Sequence, residues 1–201
     1  IFYFYYKYLI LIINIKYLVL NINKNMTIKH LVLCGGGAIA FPMFASLQYL
    51  HNINYWNIDN IETIYSCSIG SFIGVLISLK LDMEWIYDFL IKRPWDNIFN
   101  LKSINYLKII TNKGIYSEDI WKIVLKPVFK AKNIDIDITL LEHYKLTNIE
   151  INFYSTEINN TLIKKTINYK NNPNMKVIKA IYTTSCIPVI FVPSIIDNKY
   201  N

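Results

Sequence analysis

Two short stretches carry residues whose types and spacing can do chemistry. In Ser66-Cys67-Ser68-Ile69-Gly70 a serine stands between a run of strand length and an apolar run of helical length. A hydroxyl on such a bend is exposed, and the first amides of the following helix lie beneath it, where developing negative charge is stabilised. Ser68 is therefore a candidate nucleophile on an elbow. Gly70 leaves room for close helix packing, and Ser66 stands where an elbow ordinarily has glycine. The same residue types also suit a simpler role, in which Ser68 caps a buried helix. The second stretch is Gly35-Gly36-Gly37. Consecutive glycine amides at a helix N-terminus can form a concavity for an anion, either an oxyanion hole or a phosphate cradle. They equally suit a tight turn. Ile39 and Ala40 follow, without the lysine or further glycine of a nucleotide-binding loop.

The elements around these stretches decide whether they can meet. Residues 27–34, TIKHLVLC, predict a buried strand, and Ala38 to His51 a helix with an early Pro42. Asn60 to Tyr65 predicts a second strand, and Ser66 to Leu79 a mostly apolar helix. Two strand-turn-helix units in succession indicate an α/β domain. If the two strands are parallel neighbours, both turns emerge at one carboxyl edge and Ser68 comes beside the Gly36 and Gly37 amides. That arrangement serves acyl transfer. Further helices are expected at Asp82 to Ile91, with Asp82 as N-cap, at Ser103 to Thr111, and at Ser117 to Phe129, capped by Ser117. Residues 112–116 are read as a turn, Thr139 to Tyr144 as a short helix, Ile149 to Thr156 and Leu162 to Ile167 as strands, and Lys176 to Thr183 as a helix.

Composition excludes several classes. With 53% hydrophobic and 17% charged residues among 201, the chain is a folded domain rather than a disordered one. The net charge is +7, but Lys7, Lys16 and Lys24 precede Met26, and Arg93 is the lone arginine, so no patch for nucleic acid is present. Cys34, Cys67 and Cys186 are far apart in sequence and read as reduced thiols, Cys67 as a small buried side chain. His30, His51 and His143 have no ligand spacing, so neither a metal nor a cofactor is expected. Only His143 follows Ser68, as a triad base would, and it lacks a partner. Trp85, Phe89, Ile91 and Trp95 are read as core, with the lining of a lipid pocket or contact with a membrane as the alternative. Residues 1–25 form an apolar leader outside the domain at 26–201, with Met26 as the expected start and membrane anchoring the less favoured role.

The sequence resembles the patatin-like phospholipase family. LVLCGGGAIAFPMFASLQYL is similar to its glycine-rich opening, SCSIG to its nucleophile elbow, IEINFYSTEINNTLIKKTI to its central strand pair, and AIYTTSCIPVIFVPSIIDNKY to the stretch before its catalytic aspartate. The resemblance implies a three-layer α/β sandwich around a mostly parallel sheet. It also implies a serine-aspartate dyad acting on lipid acyl esters, in the cytoplasm or at a membrane surface, with Ser68 as nucleophile and Gly35, Gly36 and Gly37 as oxyanion hole. The departures are Ile39 and Ala40, where the family has a basic residue and a glycine, and Ser66, where it has glycine. The family's aspartate lies in an Asp-Gly pair beyond Ile195 to Tyr200, and the chain ends at Asn201. The reading therefore expects a fragment with little esterase activity of its own. A lapsed lipid-binding or interaction module and a phosphate- or nucleotide-binding protein are the alternatives.

Overall fold

The computed structural model describes residues 27–100, 111–158, 161–196 and 199–200. The expected leader lies outside these residues, as does the helix expected at 103–111 except for its last residue. In chain order the elements begin with β1 (His30–Leu33), α1 (Ala40–Asn52), β2 (Thr63–Ser66), α2 (Ile69–Ser78), α3 (Met83–Lys92) and α4 (Trp95–Ile98). They continue with β3 (Gly114–Tyr116), α5 (Asp119–Ala131), α6 (Leu140–Thr147), β4 (Glu150–Glu157), β5 (Ile163–Ile167), α7 (Val177–Ser185), β6 (Val189–Phe191), β7 (Ile195–Ile196) and β8 (Lys199–Tyr200).

The fold is α/β, with an open sheet in the order β1-β2-β4-β5. β1, β2 and β4 run parallel, in a register that pairs Leu33 with Ser66 and Ser66 with Phe153. β5 returns antiparallel to β4 at the edge, where Lys164 and Lys165 discourage further strand pairing. Alternation sets the buried face: Leu31, Leu33, Ile64, Ile151 and Phe153 all point to one side. Against that face lies α2, buried from Gly70 to Ser78 because its sequence is apolar all round. Gly74 lets it settle closely, since a Cβ there would stand 3.1 Å from Ile64 and 3.5 Å from Leu33. Each large side chain in this contact contributes about 1.5–3 kcal/mol by burial.

Local chemistry placed most of the other elements. Asp82 accepts from the Trp85 amide and caps α3 as expected. Thr139 and Glu142 form a reciprocal capping box that carries α6 to Thr147, three residues past the expected end. The helix after β2 begins at Ile69 rather than Ser66, because Ser66 is still bonded into the sheet. Ser117 does not cap α5: Glu118 holds the N-cap position, and the Ser117 hydroxyl reaches Asp119 instead. Residues 114–116, expected as a turn, form β3 and pair in parallel with β6. Gly114 is what permits this, since a Cβ there would lie 2.3 Å from the Phe191 backbone.

Candidate active site

The sheet puts both candidate stretches at one edge. β1 and β2 end side by side, and the Cys67 amide donates to the Leu33 carbonyl at 3.2 Å, extending the ladder past the last strand residues. Two residues then turn the chain into α2. Ser68 takes φ 51° and ψ −126°, a left-handed-side conformation that costs a non-glycine residue about 1–3 kcal/mol. It occupies the N-cap position, yet its hydroxyl makes no capping bond; the Ser71 amide goes to the Ser68 carbonyl at 2.8 Å. Helix capping therefore does not account for this serine. Gly70 is required by the bend: a Cβ would stand 2.4 Å from the Leu33 carbonyl oxygen and 2.6 Å from that of Cys34.

Ser66 is buried at the end of β2, where its hydroxyl donates to the Asn152 carbonyl at 3.3 Å. Its Cβ lies opposite Gly74, 3.9 Å from where a side chain would begin, so the space for a serine in a glycine's place comes from the helix.

The glycine turn follows β1 directly. Gly36 (φ 145°) and Gly37 (φ 58°) hold conformations that side chains disfavour, and Gly37 opens a single 3-10 turn ahead of α1. Among the described residues no hydrogen bond takes the amides of Gly35, Gly36 or Gly37. The turn faces the elbow closely: a Cβ on Gly35 would lie 3.1 Å from that of Ser68.

Ser68 and Gly37 line the same cavity, of about 320 Å³. Its lining includes Phe72, Leu90, Trp95, Phe99, Trp121 and Phe191, together with the exposed Phe41 and Ile187. Among the described residues the lining has no ionisable side chain, and Ser185 is the one hydroxyl beside Ser68. Ser185 is turned back on its own helix, donating to the Ile181 carbonyl at 2.8 Å. Two of the lining residues, Phe41 and Ile187, are exposed, and the exposed Val189 and Ile190 lie in the chain between Ile187 and the lining residue Phe191.

Arg93 holds one wall in place. Pro127 lies inside α5 and has no N–H for the Ile123 carbonyl. The Arg93 guanidinium supplies the missing donor, with Nη2 at 2.7 Å from the Ile123 oxygen, and its Nη1 donates to the Val124 carbonyl at 2.6 Å as well. Its plane also lies over the rings of Phe89 and Trp95, 4.9 Å and 5.3 Å from their centroids. The Trp95 indole is fixed further by donating to the Leu90 carbonyl at 2.7 Å.

The other sequence candidates lie elsewhere. His143 is buried in the core and bonds to Ser78 at 3.1 Å, at the far end of α2 and about 15 Å of helix from Ser68. It is no base for Ser68. His51 packs edge-on against Trp56. No group of three or more potential metal ligands occurs among the described residues. Cys67, expected to be buried, is exposed, because the residue before Ser68 faces the opposite side of the bend. Of the four residues read as core or pocket, Trp95 lines the cavity, Trp85 and Phe89 pack against the core, and Ile91 is exposed. Trp121 and Phe191 were missed: α5 and β6 come from distant sequence, and only the proline inside an otherwise helical pattern marks that wall. No helix among the described residues is long and apolar enough to cross a membrane.

Comparison with known proteins places this geometry among relatives. The family described as Patatin-like phospholipase matches residues 31–201. An uncharacterized protein of Acanthamoeba polyphaga mimivirus is 24% identical over 171 residues, covering 85% of this chain and 55% of the relative. A probable lipid hydrolase of Invertebrate iridescent virus 6 is 29% identical over 179 residues, covering 86% of this chain and 58% of the relative. The chain thus spans little more than half the length of these two. Among solved structures, VipD from Legionella pneumophila superposes with a TM-score of 0.56 at 14% identity, over 86% of this chain and 45% of its own. ExoU, solved in its heterodimeric complex with SpcU from the type III secretion system of Pseudomonas aeruginosa, gives 0.54 at 16% identity, over 81% and 37%. At such identities these two likenesses are of fold alone.

Proposed function

The chain belongs to the patatin-like phospholipase family, and on that premise we propose that it carries the nucleophile half of a lipid acyl hydrolase. In this reading the Ser68 hydroxyl attacks an ester carbonyl, the Gly35, Gly36 and Gly37 amides receive the oxyanion, and the apolar cavity holds the acyl chain. The alcohol leaves, and water then releases the acid from the acyl-serine. The proton acceptor is the aspartate that the resemblance puts C-terminal to Asn201. One observation carries the reading: a strained serine, uncapped, opens together with a turn of free glycine amides onto a single apolar cavity.

The exposed Phe41 and Ile187 of the cavity lining, with Val189 and Ile190 exposed next to Phe191 in the chain, support contact with a lipid surface, from which an ester enters without crossing water. A phosphate reading of the glycine turn has little support, since among the described residues no lysine or arginine lines the cavity. The lapsed lipid-binding module is favoured by one fact: the described lining offers Ser68 no base.

A fluorophosphonate probe on the full-length protein separates hydrolase from binding module. The hydrolase is labelled at Ser68, turns over a short-chain p-nitrophenyl ester, and loses both properties on Ser68→Ala. A full-length protein that takes no label and turns over no ester would end the enzyme reading.

A further inference from the structure

Cys34 and Cys67 flank the two halves of the site at equivalent positions. The register pairs Leu33 with Ser66 at the strand ends. One residue beyond the cysteines, the Cβ position of Gly35 is 3.1 Å from that of Ser68. Cys34 and Cys67 therefore lie between one in-register pair and one close approach just past the strand ends. Side chains alternate along both chains, so while Leu33 and Ser66 face the core, the two cysteines face the other way, and both are exposed. In-register neighbours on adjacent strands are about 5 Å apart between Cα atoms, inside the roughly 4.4–6.8 Å that a disulfide spans.

We infer that Cys34 and Cys67 are a thiol modification site, a dithiol that a low-molecular-weight disulfide such as glutathione disulfide converts reversibly to an intramolecular bridge between the glycine turn and the serine elbow. One cysteine thiolate attacks a sulfur of glutathione disulfide, forming a mixed disulfide and expelling one glutathione thiolate. The second cysteine thiolate attacks the protein sulfur of that mixed disulfide, expelling the other glutathione. The protein dithiol loses two electrons and two protons, and the disulfide reagent gains both as two thiols. Cys34 contributes, after desolvation, to holding the Cys67 thiol above its ordinary value, in keeping with their proximity. The exchange is accordingly faster in mildly alkaline solution. Cys186 is an internal control: its thiol donates to the Tyr182 carbonyl at 3.2 Å and burial pushes it up to about 11.

The bridge acts on the site because it draws the two Cβ atoms to about 3.8 Å, closer than neighbouring strands hold them. Gly35 and Ser68 follow the two cysteines directly, so that shift is passed on to them. This second consequence rests on the hydrolase reading; the bridge itself does not. The test treats reduced full-length protein with glutathione disulfide and maps peptides without reduction. Expected are the loss of two hydrogen masses, a peptide linking Cys34 to Cys67, and Cys186 still open to alkylation, while Cys34→Ser and Cys67→Ser each retain one glutathione. Separate glutathione adducts on both cysteines, or two thiols still open to alkylation, would overturn the site. Fluorophosphonate labelling of Ser68 should slow about tenfold in the bridged form and recover with a thiol reductant. Equal rates in both forms would overturn the coupling. Absence of label in either form counts against the hydrolase reading, and the peptide map still decides the bridge.

Discussion

Gly35 and Ser68 stand opposite one another across two neighbouring strand ends, with 3.1 Å between the Ser68 Cβ and the place a Gly35 side chain would begin. Gly35, two residues past the end of β1, thus sets how near the free amides come to the hydroxyl. Gly35 itself lies outside the left-handed region, so alanine there brings a contact and no strain of its own backbone.

Gly35→Ala should therefore move the elbow by a few tenths of an ångström. Fluorophosphonate labelling of Ser68 is expected to slow about tenfold, with unfolding free energy changed by less than about 1 kcal/mol. A variant labelled at the wild-type rate would show that this contact does not govern the site.

Gly70→Ala should behave differently. Its Cβ meets two backbone carbonyls, Leu33 at 2.4 Å and Cys34 at 2.6 Å, and neither belongs to a side chain that can turn away. The expected loss is about 3 kcal/mol in urea unfolding. Gly37→Ala meets nothing within 4 Å and suffers only from φ 58°, at about 1 kcal/mol. Equal losses for the two would contradict this account.

His143 makes the fold sensitive to acid. The Ser78 hydroxyl donates to the Val75 carbonyl at 2.8 Å and so accepts from His143 Nε2. Burial lowers the histidine from 6.5 to about 4. Between these values the unfolded chain binds a proton that the folded one refuses, so the full stability is present above the unfolded value and is lost as pH falls toward about 4. The loss amounts to roughly 3 kcal/mol. Chemical denaturation across this window should show the slope in wild type, and His143→Phe should flatten it.

Arg93 and Pro127 should prove energetically coupled. Arg93→Ala leaves the Ile123 carbonyl without a donor and is expected to cost about 2 kcal/mol. Adding Pro127→Ala restores an amide four residues along the helix and should recover about 1 kcal/mol of that loss. Strictly additive effects in the double-mutant cycle would refute the coupling. Arg93→Lys offers a single point of donation to two carbonyls, so it should fall between wild type and alanine.

If the aspartate that the family resemblance implies follows Asn201, ester turnover should depend on it. Protein ending at Asn201 is expected to hydrolyse p-nitrophenyl esters little, and protein carried through the next Asp-Gly pair readily. Equal turnover by the two would place the base for Ser68 elsewhere.

The parts of this protein that were legible in the sequence are those dictated over a few residues. Apolar runs of strand length, the glycine turn, the serine bend and Asp82 each announce themselves, because backbone freedom, alternation and capping act locally. So does the family likeness, which lies in the same short stretches. Contacts between distant segments were not legible. That residues 114–116 form a strand depends on β6, some seventy positions later, meeting a glycine with no side chain in the way. The pocket wall built from Trp121 and Phe191, the Arg93 bonds to α5, and the exposure of Cys67 beside Cys34 follow from which elements the sheet order makes neighbours. Local sequence fixes the torsions a residue can hold; only the packed chain decides which surfaces those torsions bring together.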